Sequence, residues 1–198
     1  MNSPFGKLLR FNDDGSIPSD NPHYSTQTGL ARAIWARGLR NPFTFAVQPG
    51  TGRIHINDVG QNSWEEVNVG AQGADYGWPA SEGPDNVTAA GSGPLYAYKH
   101  SAAVPPGSGP GGFFVGFAIA GGTFYPASGA SGALGAPWRG SYFFADYVSR
   151  FIGALDMANG NVAYAFGSVS GSPVDVLAAA DGALLVLTRG SIVRFSAP

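Results

Sequence analysis

Short apolar segments recur along this chain, each closed by a turn rich in glycine, proline, aspartate or asparagine. That recurrence limits the fold more than any other feature. Lys7–Phe11 is closed by Asn12-Asp13-Asp14-Gly15, and Phe43–Val47 by Gln48-Pro49-Gly50-Thr51-Gly52. Arg53–Asn57 and Glu65–Val69 follow, and later Gly122–Tyr125, Ser141–Ala145, Phe151–Leu155, Val162–Phe166, Val174–Ala178, Ala183–Leu187 and Ser191–Phe195. Segments this short, punctuated by turn formers, suit antiparallel strands. Two strand–turn–strand units, Phe45–Ile56 and Val176–Leu187, run alike from apolar strand through a glycine-containing turn to apolar strand. Repeated hairpins of this kind predict propeller blades. Gly29–Arg37 reads equally as helix or strand. Residues 72–112 read as one long loop insertion, with Pro105–Gly112 its most flexible part.

Composition supports an all-β chain forming one domain over residues 1–198. Glycine (30) and proline (15) are abundant without a collagen period, and aromatics reach 13%. Charged residues are only 12%, against the ~25% of an average soluble domain. The net charge of −2 comes with no basic run, so no nucleic-acid partner is expected. No stretch approaches the length of a membrane-spanning helix, so no membrane partner is expected either. Cysteine is absent, which excludes disulfides, thiolate metal sites and a cysteine nucleophile. The first ten residues lack the pattern of a signal peptide.

Three stretches go further. They are Gly38-Leu39-Arg40-Asn41-Pro42-Phe43, then Asp58-Val59-Gly60-Gln61-Asn62-Ser63-Trp64-Glu65-Glu66-Val67-Asn68, then Gly73-Ala74-Asp75-Tyr76-Gly77-Trp78-Pro79. In this order and spacing they resemble the soluble quinoprotein glucose/sorbosone dehydrogenase family, whose members use pyrroloquinoline quinone (PQQ). The flanks agree: Gly6–Pro18 resembles its entry strand, Ala120–Tyr125 and Tyr142–Asp146 a later blade, and Ala180–Arg194 its last strands. Family members are six-bladed β-propellers about twice as long. The resemblance therefore implies a partial β-propeller, about three four-stranded antiparallel blades matching the family's C-terminal half. The N-terminal half, which in the family supplies the catalytic-base histidine, has no counterpart here. Met1 resembles an internal start. The family also implies a periplasmic or secreted location.

The resemblance assigns candidate roles residue by residue. Arg40 and Asn41 match the pair that binds the acidic quinone, and a guanidinium suits carboxylates through paired hydrogen bonds. Gly60 and Gln61 match positions whose backbone carbonyls coordinate a calcium bridging to the quinone, with Gln61 standing where some relatives have proline. Glu66 and the carbonyl of Tyr76 match a structural calcium site, and Asp58 and Asp75, close in sequence, could join either ion. Oxygen donors of these kinds suit calcium. His100 is the histidine best placed to act as an active-site acid or base, with Glu65 as a carboxylate alternative. His55 is expected to pack between blades or lie at the surface, and His23 to be solvated.

Three functions are open at this point. The first is PQQ- and calcium-dependent oxidation of an aldose sugar, lacking the family's base. The second is calcium-dependent hydrolysis of an acyl-homoserine or sugar lactone, with calcium as Lewis acid. The third is a non-catalytic calcium-binding propeller fragment. Open flanks carry unpaired strand edges, so a homodimer completing the ring is a further expectation.

Overall fold

The computed structural model describes residues 3–85, 87, 91–101, 114–128 and 134–197. The strands are β1 (Lys7–Leu9), β2 (Ile34–Arg37), β3 (Pro42–Val47), β4 (Ile54–Asp58), β5 (Trp64–Gly70), β6 (Tyr96–Lys99) and β7 (Ile119–Phe124). They continue as β8 (Tyr142–Asp146), β9 (Phe151–Asp156), β10 (Val162–Ser168), β11 (Pro173–Ala178), β12 (Leu184–Thr188) and β13 (Ile192–Phe195). Each sheet consists of consecutive antiparallel strands. β3–β6 and β7–β10 form four-stranded sheets, β11–β13 a three-stranded sheet, and β1–β2 a two-stranded one. The first strands of neighbouring sheets lie side by side, β3 against β7 and β7 against β11. This is the meander-and-rim arrangement of propeller blades. The expected three four-stranded blades are thus two complete blades flanked by a three-stranded and a two-stranded sheet.

Both matched hairpins form. At the β3–β4 turn the Gln48 N–H bonds the Arg53 carbonyl at 2.7 Å. Gly50 and Gly52 there have φ of +81° and +71°, conformations that favour glycine. At the β11–β12 turn the Ala179 N–H bonds the Ala183 carbonyl at 2.8 Å, with Gly182 at φ +87°.

Strand alternation makes each blade serve two seams. In β8, Tyr142 and Phe144 pack against Val67, Tyr98 and Ile119, toward the β3–β6 blade. Their neighbours Phe143 and Ala145 pack on the other side against Val176, Leu184 and Val186 of the last sheet. A third cluster, Ala36, Leu39, Ile56 and Tyr76, joins β1–β2 to the first full blade. Each fully buried ring contributes about 1.5–3 kcal/mol, so the seams rather than strand propensity hold the blades together.

Two sequence expectations are refined. Gly29–Arg37 is neither one helix nor one strand: a 3-10 turn at Gly29–Ala33 runs directly into β2. The 72–112 loop contains β6, whose Tyr96, Ala97 and Tyr98 are buried on both faces and so show no alternation. Residues 102–113, including Pro105–Gly112, lie outside the described residues.

His55 is a blade-packing residue. It is 0% exposed, and the rings of Phe124 and Tyr142 lie 4.6 Å from its own. Neither ring nitrogen has a hydrogen-bond partner among the described residues. Burial lowers its pKa to about 4, so it is neutral in the fold. Its folded pKa lies below the unfolded value, so stability is present above pH 6.5 and is lost as pH falls toward 4. His55→Phe keeps the ring contacts and removes this titration. Its stability advantage over the parent chain is expected to be about 2 kcal/mol greater at pH 5 than at pH 7.5, read by urea denaturation. An equal difference at both pH values would refute this.

Candidate functional site

The cofactor-motif residues lie in separate loops, and a buried carboxylate joins them. Asp58 ends β4 and is 4% exposed. Its Oδ2 accepts the Arg40 N–H at 2.9 Å and its Oδ1 the Asn41 N–H at 2.7 Å. Burial raises Asp58 to about 7, against the opposing pull of these two donors. The Arg40 guanidinium then reaches forward. Nε and Nη2 both donate to Gln61 Oε1, at 3.0 and 2.8 Å, and Nη1 donates to the Val59 carbonyl at 3.1 Å. Arg40, Asn41, Gly60 and Gln61 therefore form one cluster.

The turn after Gly60 is held from a distance. Glu82 Oε1 accepts four consecutive main-chain N–H groups, from Gln61, Asn62, Ser63 and Trp64, at 2.8 to 3.2 Å. These bonds outweigh burial and hold Glu82 below the usual carboxylate range. Gly60 is fixed by space: a Cβ there would lie 1.6 Å from the Trp64 carbonyl oxygen.

β5 turns its two glutamates to opposite faces. Glu65 is 0% exposed. Its Oε1 lies 2.6 Å from His100 Nε2, and its Oε2 accepts the Ile119 N–H at 2.8 Å. The structure thus brings together the two residues put forward as acid or base. The Asn62 main chain also interacts with the His100 ring, whose side chain is 14% exposed at the cleft. Burial pushes Glu65 up to about 8 and His100 down. Burial thus disfavours charge on both members of the pair.

Glu66, on the other face, accepts the Gly83 N–H at 2.5 Å and Asn68 Nδ2 at 2.9 Å. Asn68 Oδ1 beside it is buried without a partner among the described residues. Tyr76 is anchored nearby: its N–H donates to the Arg37 carbonyl at 3.0 Å and its hydroxyl to the Val69 carbonyl at 2.6 Å. Asp75 instead pairs with Arg37 at 2.9 Å. Among the described residues no three His, Cys, Asp or Glu side chains gather to hold a metal. Calcium would therefore depend on main-chain carbonyls, single carboxylates and an orphaned oxygen such as that of Asn68. This donor set fits the ion, which takes hard oxygens of all three kinds.

A cleft of about 1010 Å³ opens beside this cluster, lined by Gln61, Trp64, Trp78, Lys99, His100 and Phe117 among others. Lys99 Nζ lies 4.7 Å over the Trp64 ring. One cation, Lys99, and the rings of Trp78 and Phe117 line the cleft together with the carboxylates Glu82 and Asp85, so an anionic planar group such as PQQ would have to sit on the Lys99 side. Sequence reasoning missed Glu82, Lys99 and Asp146. Nothing local marks the first two, and Asp146 was visible only as the end of a strand.

Residues 1–194 match the model of the Glucose / Sorbosone dehydrogenase family. The chain belongs to that family. Aldose sugar dehydrogenase YliI of Escherichia coli K12 is 32% identical over 111 residues, covering 50% of this chain and 30% of the relative. Quinoprotein glucose dehydrogenase B of Acinetobacter calcoaceticus is 43% identical over 74 residues, covering 37% and 15%. The soluble aldose sugar dehydrogenase from Escherichia coli, in its apo form, superposes with a TM-score of 0.71 at 26% identity, covering 96% of this chain and 53% of that one. This family member thus spans about half the length of the solved relative. The PQQ-bound aldose sugar dehydrogenase from Streptomyces coelicolor, at 22% identity and a TM-score of 0.66, shares the fold. The partial propeller is that of glucose/sorbosone dehydrogenases.

Proposed function

We propose that this chain forms the cofactor-holding half of a PQQ- and calcium-dependent aldose sugar dehydrogenase. The observation that carries the reading is that Asp58 holds the Arg40 and Asn41 N–H groups while the Arg40 guanidinium bonds Gln61 and the Val59 carbonyl, beside a cleft lined by Lys99, Trp78 and Phe117. Arg40 retains N–H donors beyond the three bonds it makes, and these suit a carboxylate of the quinone. Lys99, seated over the buried Trp64 ring, adds positive charge, and Trp78 and Phe117 supply flat walls. The Gly60 and Gln61 carbonyls supply hard oxygens for one calcium, and Glu66, with Tyr76, donors for a second. When bound, the quinone supplies the redox chemistry, accepting a hydride from the sugar. The Glu65–His100 pair holds a proton within the cleft wall.

The test starts from metal-stripped protein, with PQQ binding measured by calorimetry and glucose-driven dye reduction assayed with calcium alone and with calcium plus PQQ. Binding of PQQ that depends on calcium is the expected result, and any glucose-driven dye reduction should require both. Absence of PQQ binding overturns the reading. Acid release from a lactone with calcium alone would replace it with the hydrolase.

Two neighbouring substitutions should act with opposite sign on PQQ affinity. Arg40→Ala removes charge-assisted hydrogen bonds worth about 1.5–3 kcal/mol and should weaken binding at least tenfold. Gln61→Ala frees the guanidinium from its internal partner and should tighten binding. Equal affinity in the parent and Arg40→Ala would count against the assignment.

A further inference from the structure

Asp146, at the end of β8, is 0% exposed and has no ion-pair partner among the described residues. Five donors surround it instead. Oδ2 accepts the Tyr98 hydroxyl at 2.9 Å, the Phe117 N–H at 2.9 Å and the Ala118 N–H at 3.0 Å. Oδ1 accepts the Val148 N–H at 3.0 Å and the Ser149 N–H at 2.6 Å. Gly116 completes the enclosure, because a Cβ there would lie 2.2 Å from Oδ2. A buried carboxylate is tolerable only when its lone pairs are taken up in this way.

These bonds fix the short segment that enters β7, and that segment carries two contacts to the site. The next residue, Ile119, donates its N–H to Glu65 Oε2 at 2.8 Å. The Phe117 ring lies 5.5 Å from the His100 ring and lines the cleft. Glu65 and His100 belong to the β3–β6 blade and its exit, whereas Asp146 belongs to the next blade. The Tyr98 hydroxyl ties the two blades together at the same oxygen.

We infer that Asp146 is the positioning residue of the Glu65–His100 pair: by clamping Phe117 and Ala118 it sets where the Ile119 N–H and the Phe117 ring meet the two side chains. It touches neither substrate nor cofactor. Its effect on turnover rests on the reading of the cleft as the sugar and cofactor site, but its effect on the pair does not.

The test compares the full chain with Asp146→Asn and Tyr98→Phe. An asparagine turns an NH₂ toward one of the two donor groups, so part of the clamp must open. In folded Asp146→Asn, the Ile119 amide is expected to exchange with solvent about tenfold faster. The ¹⁵N resonances of the His100 ring should move as well, while β12–β13 amides stay unchanged. Tyr98→Phe removes one donor only and should change the same signals in the same direction to a smaller extent. It decides the matter if Asp146→Asn does not fold. Unchanged Ile119 exchange and His100 ring signals in a folded variant overturn the inference. If the parent oxidises glucose with PQQ and calcium, kcat should fall in the variants with KM nearly constant. If the parent fails to bind PQQ while the ring and amide signals still move, the positioning role stands and the cofactor-holding reading falls.

Discussion

Replacing Gly60 by alanine is expected to destabilise the chain by about 3 kcal/mol or more, the cost of forcing an atom into fully packed space. The new Cβ would lie 1.6 Å from the Trp64 carbonyl oxygen and 2.7 Å from Glu82 Oε1. The first of these atoms is main chain at the start of β5, so no side-chain rotation relieves the clash. Either β5 shifts away from its partners or the turn abandons Glu82. Gly190→Ala is the matched control. Nothing lies within 4 Å of the position, and its φ is outside the left-handed region. There alanine should be neutral, or stabilising by about 0.4–1 kcal/mol through a stiffer unfolded chain. Urea midpoints of the three proteins decide the matter, and a Gly60→Ala midpoint equal to the parent's would refute the packing account. The reading also explains why a glycine belongs at a position given to calcium: the constraint is close approach rather than backbone twist.

The second large effect is on pH dependence. Glu65 moves from an ordinary 4.5 to about 8 in the fold, because burial keeps its proton on. A group whose folded pKa is raised stabilises fully below its unfolded pKa and loses that stabilisation as pH rises through the folded value. The span corresponds to about 5 kcal/mol in total, of which about 3 kcal/mol falls between pH 5.5 and 8.5. Asp58, raised from 3.8 to about 7, acts in the same direction. His55 acts in the opposite one. Glu65→Gln imitates the protonated acid, since its NH₂ can face His100 Nε2 while its oxygen accepts the Ile119 N–H. The metal-free variant should therefore lose much less stability than the parent between pH 5.5 and 8.5. Parallel losses would show that Glu65 ionises freely in the fold.

The hairpins and the motif cluster were legible because local chemistry writes them. Turn glycines such as Gly50, Gly52 and Gly182 adopt the left-handed φ that sequence reading expects of them. The Arg40-Asn41 and Gly60-Gln61 pairs carry recognisable neighbours. β6 was not legible, because a strand buried on both faces has no alternation to read. β3 shows the converse difficulty. Its Phe43, Phe45 and Val47 are 52–55% exposed, while Thr44 and Ala46 face the neighbouring blade, and the Thr44 hydroxyl donates to the Gly121 carbonyl at 3.0 Å. Polarity alone would have turned that strand the other way. The pairing of Glu65 with His100 bridges 35 positions, and the Asp146–Tyr98 contact 48. Such separations are set by how blades stack, which no window of sequence contains.

The Glu82 knot has a consequence for how this part of the chain can vary. Four successive residues are fixed through their N–H groups alone, by one oxygen 18 to 21 positions downstream. For the knot itself, the side chains at 61–63 are interchangeable, whereas the acidic residue that returns to them is not. Only proline, having no N–H, would forfeit a bond, and at position 61 it would also release Arg40. A variant lacking Glu82 should keep its blades and yet lose the shape of that turn. The turn would then become a preferred point of proteolytic cleavage in an otherwise resistant molecule.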